Sequence, residues 1–327
     1  MQILILLFCL LMGCPISSGG YIISVADEIA SHFIGSSSNI PSSNNYHNLG
    51  DRVLGIFPSL AQTESSQFKQ KKLKSINQTK KANNPKQIIL STKDNVKIAV
   101  NHYDSNKRDS VLIVCPGWYM CKDSYVFKNM SEDLFKNTDI ISMDFRGHCK
   151  SSGSFTFTAR EVNDLKAVVD YAKSRYSNVS LMGFSLGGAT SIIYTAKYKD
   201  INSVIVVSAP SDFDKIEHHS FKKEAYMQTF EKFELWRAMS IRPGNIFLNK
   251  TKPVDVIQDI SPTPILFITG TKDPTVYEWH TDTLYKKAGS PKAIEKFKDN
   301  FHAEDLYLQS HDRFIKTCTD WLNATFK

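Results

Sequence analysis

With 327 residues, the chain is long enough for one large domain with appendages or for two domains, and its 42% hydrophobic and 22% charged residues are those of a globular protein. The net charge of +7 does not imply a nucleic-acid groove. Lys69, Lys71, Lys72, Lys74, Lys80, Lys81 and Lys86 lie in one stretch without acidic residues, and removing these seven from the 40 basic residues leaves 33 against 33 acidic ones.

The elements begin with a leader. Residues 3–12 form an unbroken apolar run, long enough for the core of a secretion signal and too short to span a bilayer. Residues 1–20 are therefore expected to be a signal segment, and the protein to be exported. Leu11-Met12-Gly13-Cys14 resembles the bacterial lipobox, in which the cysteine is lipidated and becomes the mature N-terminus. That would tether the protein to a membrane; plain cleavage near residues 17–20 is the alternative. Residues 21–86 read as a Ser/Asn- and Lys-rich linker of marginal order, with two short apolar segments at 21–34 and 53–60. The cysteines beyond the leader, Cys115, Cys121, Cys149 and Cys318, lack C-x-x-C spacing, so no metal site is expected; no organic cofactor is implied by the sequence either. A disulfide between Cys121 and Cys149 is compatible with export.

From residue 87 to 327 the pattern is that of a folded domain. Residues 87–90 and 96–103 read as paired strands around an Asp94-Asn95 turn. Residues 111–115 are a continuous apolar run, as in a strand buried on both faces. A helix is expected over 124–135, a strand over 140–143 and a helix over 160–175, the last with Val162, Leu165, Val168, Val169 and Ala172 on one face. Strands at 179–182, 204–208, 265–269 and 293–297 alternate with helices at 189–198, 279–287 and 305–326. Such alternation predicts an α/β fold with a mainly parallel sheet covered by helices on both faces. Ligand sites in such sheets lie beyond the strand C-termini.

Gly183-Phe184-Ser185-Leu186-Gly187 sits between an expected strand and an expected helix. This is the setting of a nucleophile elbow, a sharp turn that exposes a serine hydroxyl and leaves no room for side chains two residues away. Asp273, in Gly270-Thr271-Lys272-Asp273-Pro274, and His302, in Phe301-His302-Ala303-Glu304, each follow a later strand. Serine is a weak nucleophile at its free pKa, so His302 is expected to take its proton, with Asp273 fixing the imidazole tautomer. Asp212, after the 204–208 strand, is the rival acid. An oxyanion hole needs two backbone N–H groups: Leu186, after the nucleophile, and Trp118 from Pro116-Gly117-Trp118-Tyr119, with Tyr119 the alternative to Trp118.

With Asp144-Phe145-Arg146-Gly147-His148-Cys149-Lys150-Ser151-Ser152-Gly153, which looks like a D-x-R-G-x-G-x-S segment, these motifs resemble the α/β-hydrolase superfamily, most closely its lysophospholipase- and carboxylesterase-like serine hydrolases. The family commonly has His-Gly where this chain has Pro116-Gly117, and Gly in place of Cys149; His148 reads as loop-stabilising rather than catalytic. In this fold the insertion at about 211–262 resembles a small helical cap, with Phe221, Tyr226, Met227, Phe230, Phe233, Trp236 and Met239 spaced mostly three or four apart. Most of these are expected to dock the cap, and one or two to line an acyl pocket. The resemblance implies hydrolysis of a small-molecule or lipid carboxylic ester through an acyl-enzyme. A serine peptidase or acyltransferase using the same triad is an alternative, as is a non-catalytic binding protein on the same scaffold. Dehalogenases of this fold carry aspartate at the elbow, so Ser185 disfavours their chemistry.

Overall fold

The computed structural model describes residues 84–220, 240–245 and 247–326. The chain divides into two compact units, Met1–Lys80 and Lys81–Lys327, and the described residues all belong to the second. The leader, Cys14 and nearly all of the linker lie outside the described residues, as do the cap aromatics from Phe221 to Met239.

Eight strands form one sheet: β1 (Lys86–Ser91), β2 (Lys97–Tyr103), β3 (Ser110–Cys115), β4 (Asp139–Met143), β5 (Asn178–Phe184), β6 (Ser203–Val207), β7 (Ile265–Gly270) and β8 (Lys292–Phe297). Their spatial order is β1-β2-β4-β3-β5-β6-β7-β8. The β1–β2 and β2–β4 pairs are antiparallel and every later pair is parallel. The helices are α1 (Tyr125–Leu134), α2 (Glu161–Lys173), α3 (Leu186–Tyr198), α4 (Phe213–Ser220), α5 (Pro253–Val256), α6 (Glu278–Lys287), α7 (Asp305–Gln309) and α8 (His311–Thr325), with a 3₁₀ turn at Ile257–Ile260.

The two-residue period of the strands explains why both faces are covered. Val111, Ile113, Leu181, Val204, Val206 and Phe267 point to one face, where they pack with Leu165, Val168 and Val169 of α2, Ile192 of α3 and Leu284 of α6. Residues between them on β5 and β8 point the other way. Phe184 meets Phe127 of α1 and Phe314 of α8 at ring-centre distances of 5.0 and 6.3 Å, and Phe297 meets Phe314 at 6.2 Å. Each aliphatic side chain buried in these layers contributes about 1.5–3 kcal/mol relative to exposure.

The single terminal helix expected over 305–326 is two helices, broken at Ser310 (φ −135°, ψ 49°). The break has no Gly or Pro to announce it. Side chains at the break instead hold the preceding loop: Asn300 Nδ2 donates to Ser310 Oγ at 2.8 Å and the Phe301 N–H donates to Gln309 Oε1 at 2.8 Å. The helix after the elbow starts at Leu186, three residues earlier than its periodicity suggests.

Candidate active site

Ser185 joins β5 to α3 at φ 48°, ψ −113°. A non-glycine residue there is strained by about 1–3 kcal/mol and persists only where its surroundings fix it. Those surroundings are tight. A Cβ added at Gly183 would sit 2.4 Å from the Gly187 carbonyl oxygen, and one at Gly187 would sit 2.2 Å from that of Cys115. The Ser185 N–H donates to Val207 O at 2.8 Å, and its carbonyl accepts from the Ala189 N–H at 3.0 Å.

Asp273 follows β7 and His302 follows β8, so both open on the sheet edge that carries the elbow. The Asp273 side chain is fully buried. Its Oδ1 accepts the Thr275 and Val276 N–H groups at 2.9 and 2.8 Å, and its Oδ2 lies 2.7 Å from His302 Nδ1. A carboxylate so held orients the imidazole: with Nδ1–H directed at Oδ2, the lone pair is on Nε2, the nitrogen a general base needs. The rival Asp212 is engaged elsewhere. Its carboxylate pairs with Lys252 Nζ at 3.1 Å and accepts the Asp214 N–H at 3.1 Å, at the start of α4. The structure brings Asp273, not Asp212, to His302.

The two expected oxyanion donors flank the elbow. Leu186 is the first residue of α3, where an N–H has no acceptor within the helix. A Cβ added at Gly117 would lie 3.3 Å from Ser185 Cβ, so the loop that carries Trp118 passes close to Ser185. The turn is closed by Met120 N–H donating to Gly117 O at 3.2 Å, with Tyr119 at φ 63°.

Two features of the departures from the family pattern have physical reasons. Cys149, where the motif commonly has glycine, has φ 43°, and it is bonded to Cys121 with Cα atoms 6.2 Å apart. The disulfide ties the loop bearing Trp118 to the loop after β4 and holds a conformation that glycine would adopt without strain. Both sulfurs and a carboxylate oxygen of Asp144 lie within 4.8 Å of one another, but the disulfide removes the thiolates a metal would need. His148 is buried with its ring at 89° to that of Phe155, centres 4.8 Å apart, and Nδ1 3.1 Å from Arg146 O. Arg146 binds Asp94 at 2.7 Å and, through Nε, Asp164 at 2.8 Å, so this segment is clamped to the sheet and to α2. Cys115 is buried and its thiol is pushed up to about 12, which excludes it as a nucleophile near neutral pH.

Sequence reasoning missed Ser208. Its buried hydroxyl, at φ 49° just past β6, accepts the N–H of Ala303, the residue after His302, at 3.1 Å. No local pattern announces a contact spanning 95 residues. A cavity of about 840 Å³ lined by Asn101, Tyr103, Asp123, Lys128 and Cys149 lies against β1 and β2 and includes none of Ser185, Asp273 or His302.

A family model described as alpha/beta hydrolase fold matches residues 110–241, the span that contains the elbow and the D-x-R-G segment. The fold is that of the α/β-hydrolases. Among curated proteins, the chain is 26% identical to the human serine hydrolase BPHL over 262 residues, covering 69% of this chain and 85% of that protein. Among solved structures it resembles the esterase Pf2001 of Pyrococcus furiosus, with a TM-score of 0.61 and 21% identity over 74% of this chain and 93% of the other. It also resembles the esterase RhEst1 of Rhodococcus sp. ECU1013, with a TM-score of 0.59 and 15% identity over 73% of this chain and 99% of that one. At those identities the structural likeness shows a shared fold alone.

Proposed function

We propose that this α/β-hydrolase cleaves carboxylic esters, with Ser185 as nucleophile, His302 as general base and acid, and Asp273 as the orienting carboxylate. The observation that carries this reading is the 2.7 Å contact between His302 Nδ1 and a fully buried Asp273, on the sheet edge where the elbow presents Ser185. His302 Nε2 takes the proton as Ser185 Oγ bonds to the acyl carbon. The carbonyl oxygen becomes an oxyanion facing the N–H groups of Leu186 and Trp118. Collapse breaks the ester C–O bond, and His302 passes its proton to the departing alcohol. Water, deprotonated by the same imidazole, then attacks the acyl-enzyme; the acid is released and Ser185 regains its proton. A serine hydrolase among the curated relatives and esterases among the structural neighbours agree with this assignment. Labelling with a fluorophosphonate tests it: the wild type should be modified at Ser185 and Ser185→Ala should not, with an unchanged circular dichroism spectrum. Modification of the alanine variant at another residue would move the nucleophile elsewhere.

Export, with a tether at Cys14 as the leader pattern suggests, belongs to the same proposal. The Cys121–Cys149 bond supports it, because structural disulfides persist mainly in oxidising compartments.

A further inference from the structure

The esterase reading leaves open what the ester carries, and the walls beside Ser185 bear on that. Leu186, the residue after the nucleophile, packs with Phe155, Ala189 and Phe213 in a small apolar cluster separate from the main core. Trp118, Phe157 and Ile216 complete the cluster on its half-buried side. They come from three places: the loop after β3, the loop before α2 and the first turns of α4.

The rings are set in a definite arrangement. Trp118 lies nearly parallel to Phe155, at 17° with centres 6.0 Å apart, and crosses Phe157 at 76° with centres 5.1 Å apart. Phe157 in turn crosses Phe213 at 77°, 5.9 Å away. The Trp118 indole Nε1 is buried and meets no hydrogen-bond acceptor among the described residues, so ring contacts hold the indole in place.

Phe157 is held against a backbone cost. It has φ 57° and the next residue, Thr158, has φ 79°. A β-branched residue in that region is a conformational outlier. The fully buried carboxylate of Glu161 fixes the loop: its Oε1 accepts the Thr156 N–H at 2.7 Å and its Oε2 the Thr156 hydroxyl at 2.9 Å. Such strain kept by a built anchor marks a side chain whose position matters more than the ease of reaching it.

We infer, resting on the ester-hydrolase reading, that Trp118 and Phe157 form a specificity corner for an aromatic ring carried by the substrate ester. Two rings that cross near 76° can receive a third that stacks offset on one while turning its edge to the other. Both are preferred aromatic geometries, whereas an aliphatic group of equal size gains only its buried area. A Cβ added at Gly117 would lie 3.3 Å from Ser185 Cβ, and Leu186, next to Ser185, packs in the same cluster as Trp118 and Phe157, so a ring in the corner is within reach of an ester held at the nucleophile. The ring can belong to the acyl or the alcohol half of the ester; the chemistry of recognition is the same.

Two pairs of similar size separate these cases, with each enzymatic ratio taken relative to the ratio of the two esters' alkaline hydrolysis rates. Methyl phenylacetate against methyl cyclohexylacetate reports on the acyl side, and benzyl acetate against cyclohexylmethyl acetate on the alcohol side. The wild type should show a higher kcat/KM for the aryl member of one pair, by about two- to tenfold, the worth of one aromatic pair beyond its area. Phe157→Leu, which keeps an apolar side chain and removes the ring, should bring that ratio towards one; Phe157→Met serves the same purpose should the leucine variant fail to fold. Ratios of one for both pairs in the wild type, or an aryl preference that survives in a folded Phe157 variant, would overturn the inference. If esters are cleaved without aryl preference, the corner alone fails. If no ester is cleaved and Ser185 resists the fluorophosphonate, the esterase reading fails and the corner with it.

Discussion

Asp212 and Asp273 are both aspartates just past a central strand, yet their surroundings separate them. Asp273 is fully buried and gives one oxygen to two backbone N–H groups and the other to His302. Asp212 instead neutralises Lys252 at the start of α4. Asp273→Asn keeps the shape but can favour the wrong imidazole tautomer, a change that costs about 10⁴-fold in a serine protease with a Ser-His-Asp triad. We expect a loss of several orders of magnitude in kcat on a chromogenic ester, with the melting temperature little changed, and less than about tenfold for Asp212→Asn. The reverse ranking would reassign the acid. The places of Ser185, Asp273 and His302, each in a turn after a strand, were legible in the sequence because each turn has its own residue signature. Ser208 and Phe157 were not, because their places depend on left-handed backbone and on neighbours distant in the chain.

Among the elements, the strands were the easier part to read, since apolar runs such as 111–115 admit little else. The loops carry what periodicity misses. The break at Ser310 exists because Gln309 and Ser310 hold the segment leading into His302, a demand set from outside the helix. In the loop after β4, burial pushes the His148 imidazole down to about 4, with the Arg242 charge acting the same way and the bond to Arg146 O opposing both. An unfolded chain protonates histidine near 6.5. Between pH 6.5 and 4 the unfolded state therefore binds a proton that the folded state refuses, and stability is lost as pH falls through that window. The full loss is about 3 kcal/mol, and none is expected above pH 6.5. Urea denaturation at pH 7.0 and 4.5 should show this decline in wild type and a shallower one in His148→Gln, where the remaining slope comes from carboxylates such as Asp94, held low by Arg146. Equal declines in both proteins would show that His148 takes up its proton alike in the folded and unfolded chains.

For the whole molecule, the leader and the cap aromatics lie outside the described residues, so export and tethering stand on the sequence and the disulfide. No helix among the described residues is long and apolar enough to cross a membrane. If Cys14 is lipidated, the protein should partition into the detergent phase on Triton X-114 separation, and Cys14→Ser should move it to the aqueous phase. Recovery of wild type in the cytoplasm with an intact N-terminus would remove both claims.

The sheet register fixes where the domain begins and ends. Lys86, the first residue of β1, pairs with His102, near the end of β2 that lies beside the start of β4. At the far terminus, Thr325 Oγ1 is 2.8 Å from the hydroxyl of Ser203, the first residue of β6. Both lie on the edge where the parallel strands begin, whereas Ser185, Asp273 and His302 lie where those strands finish. A bead, a chip or a fused partner attached at either end of this domain would thus grip its underside and leave the edge that carries Ser185 turned toward the solution.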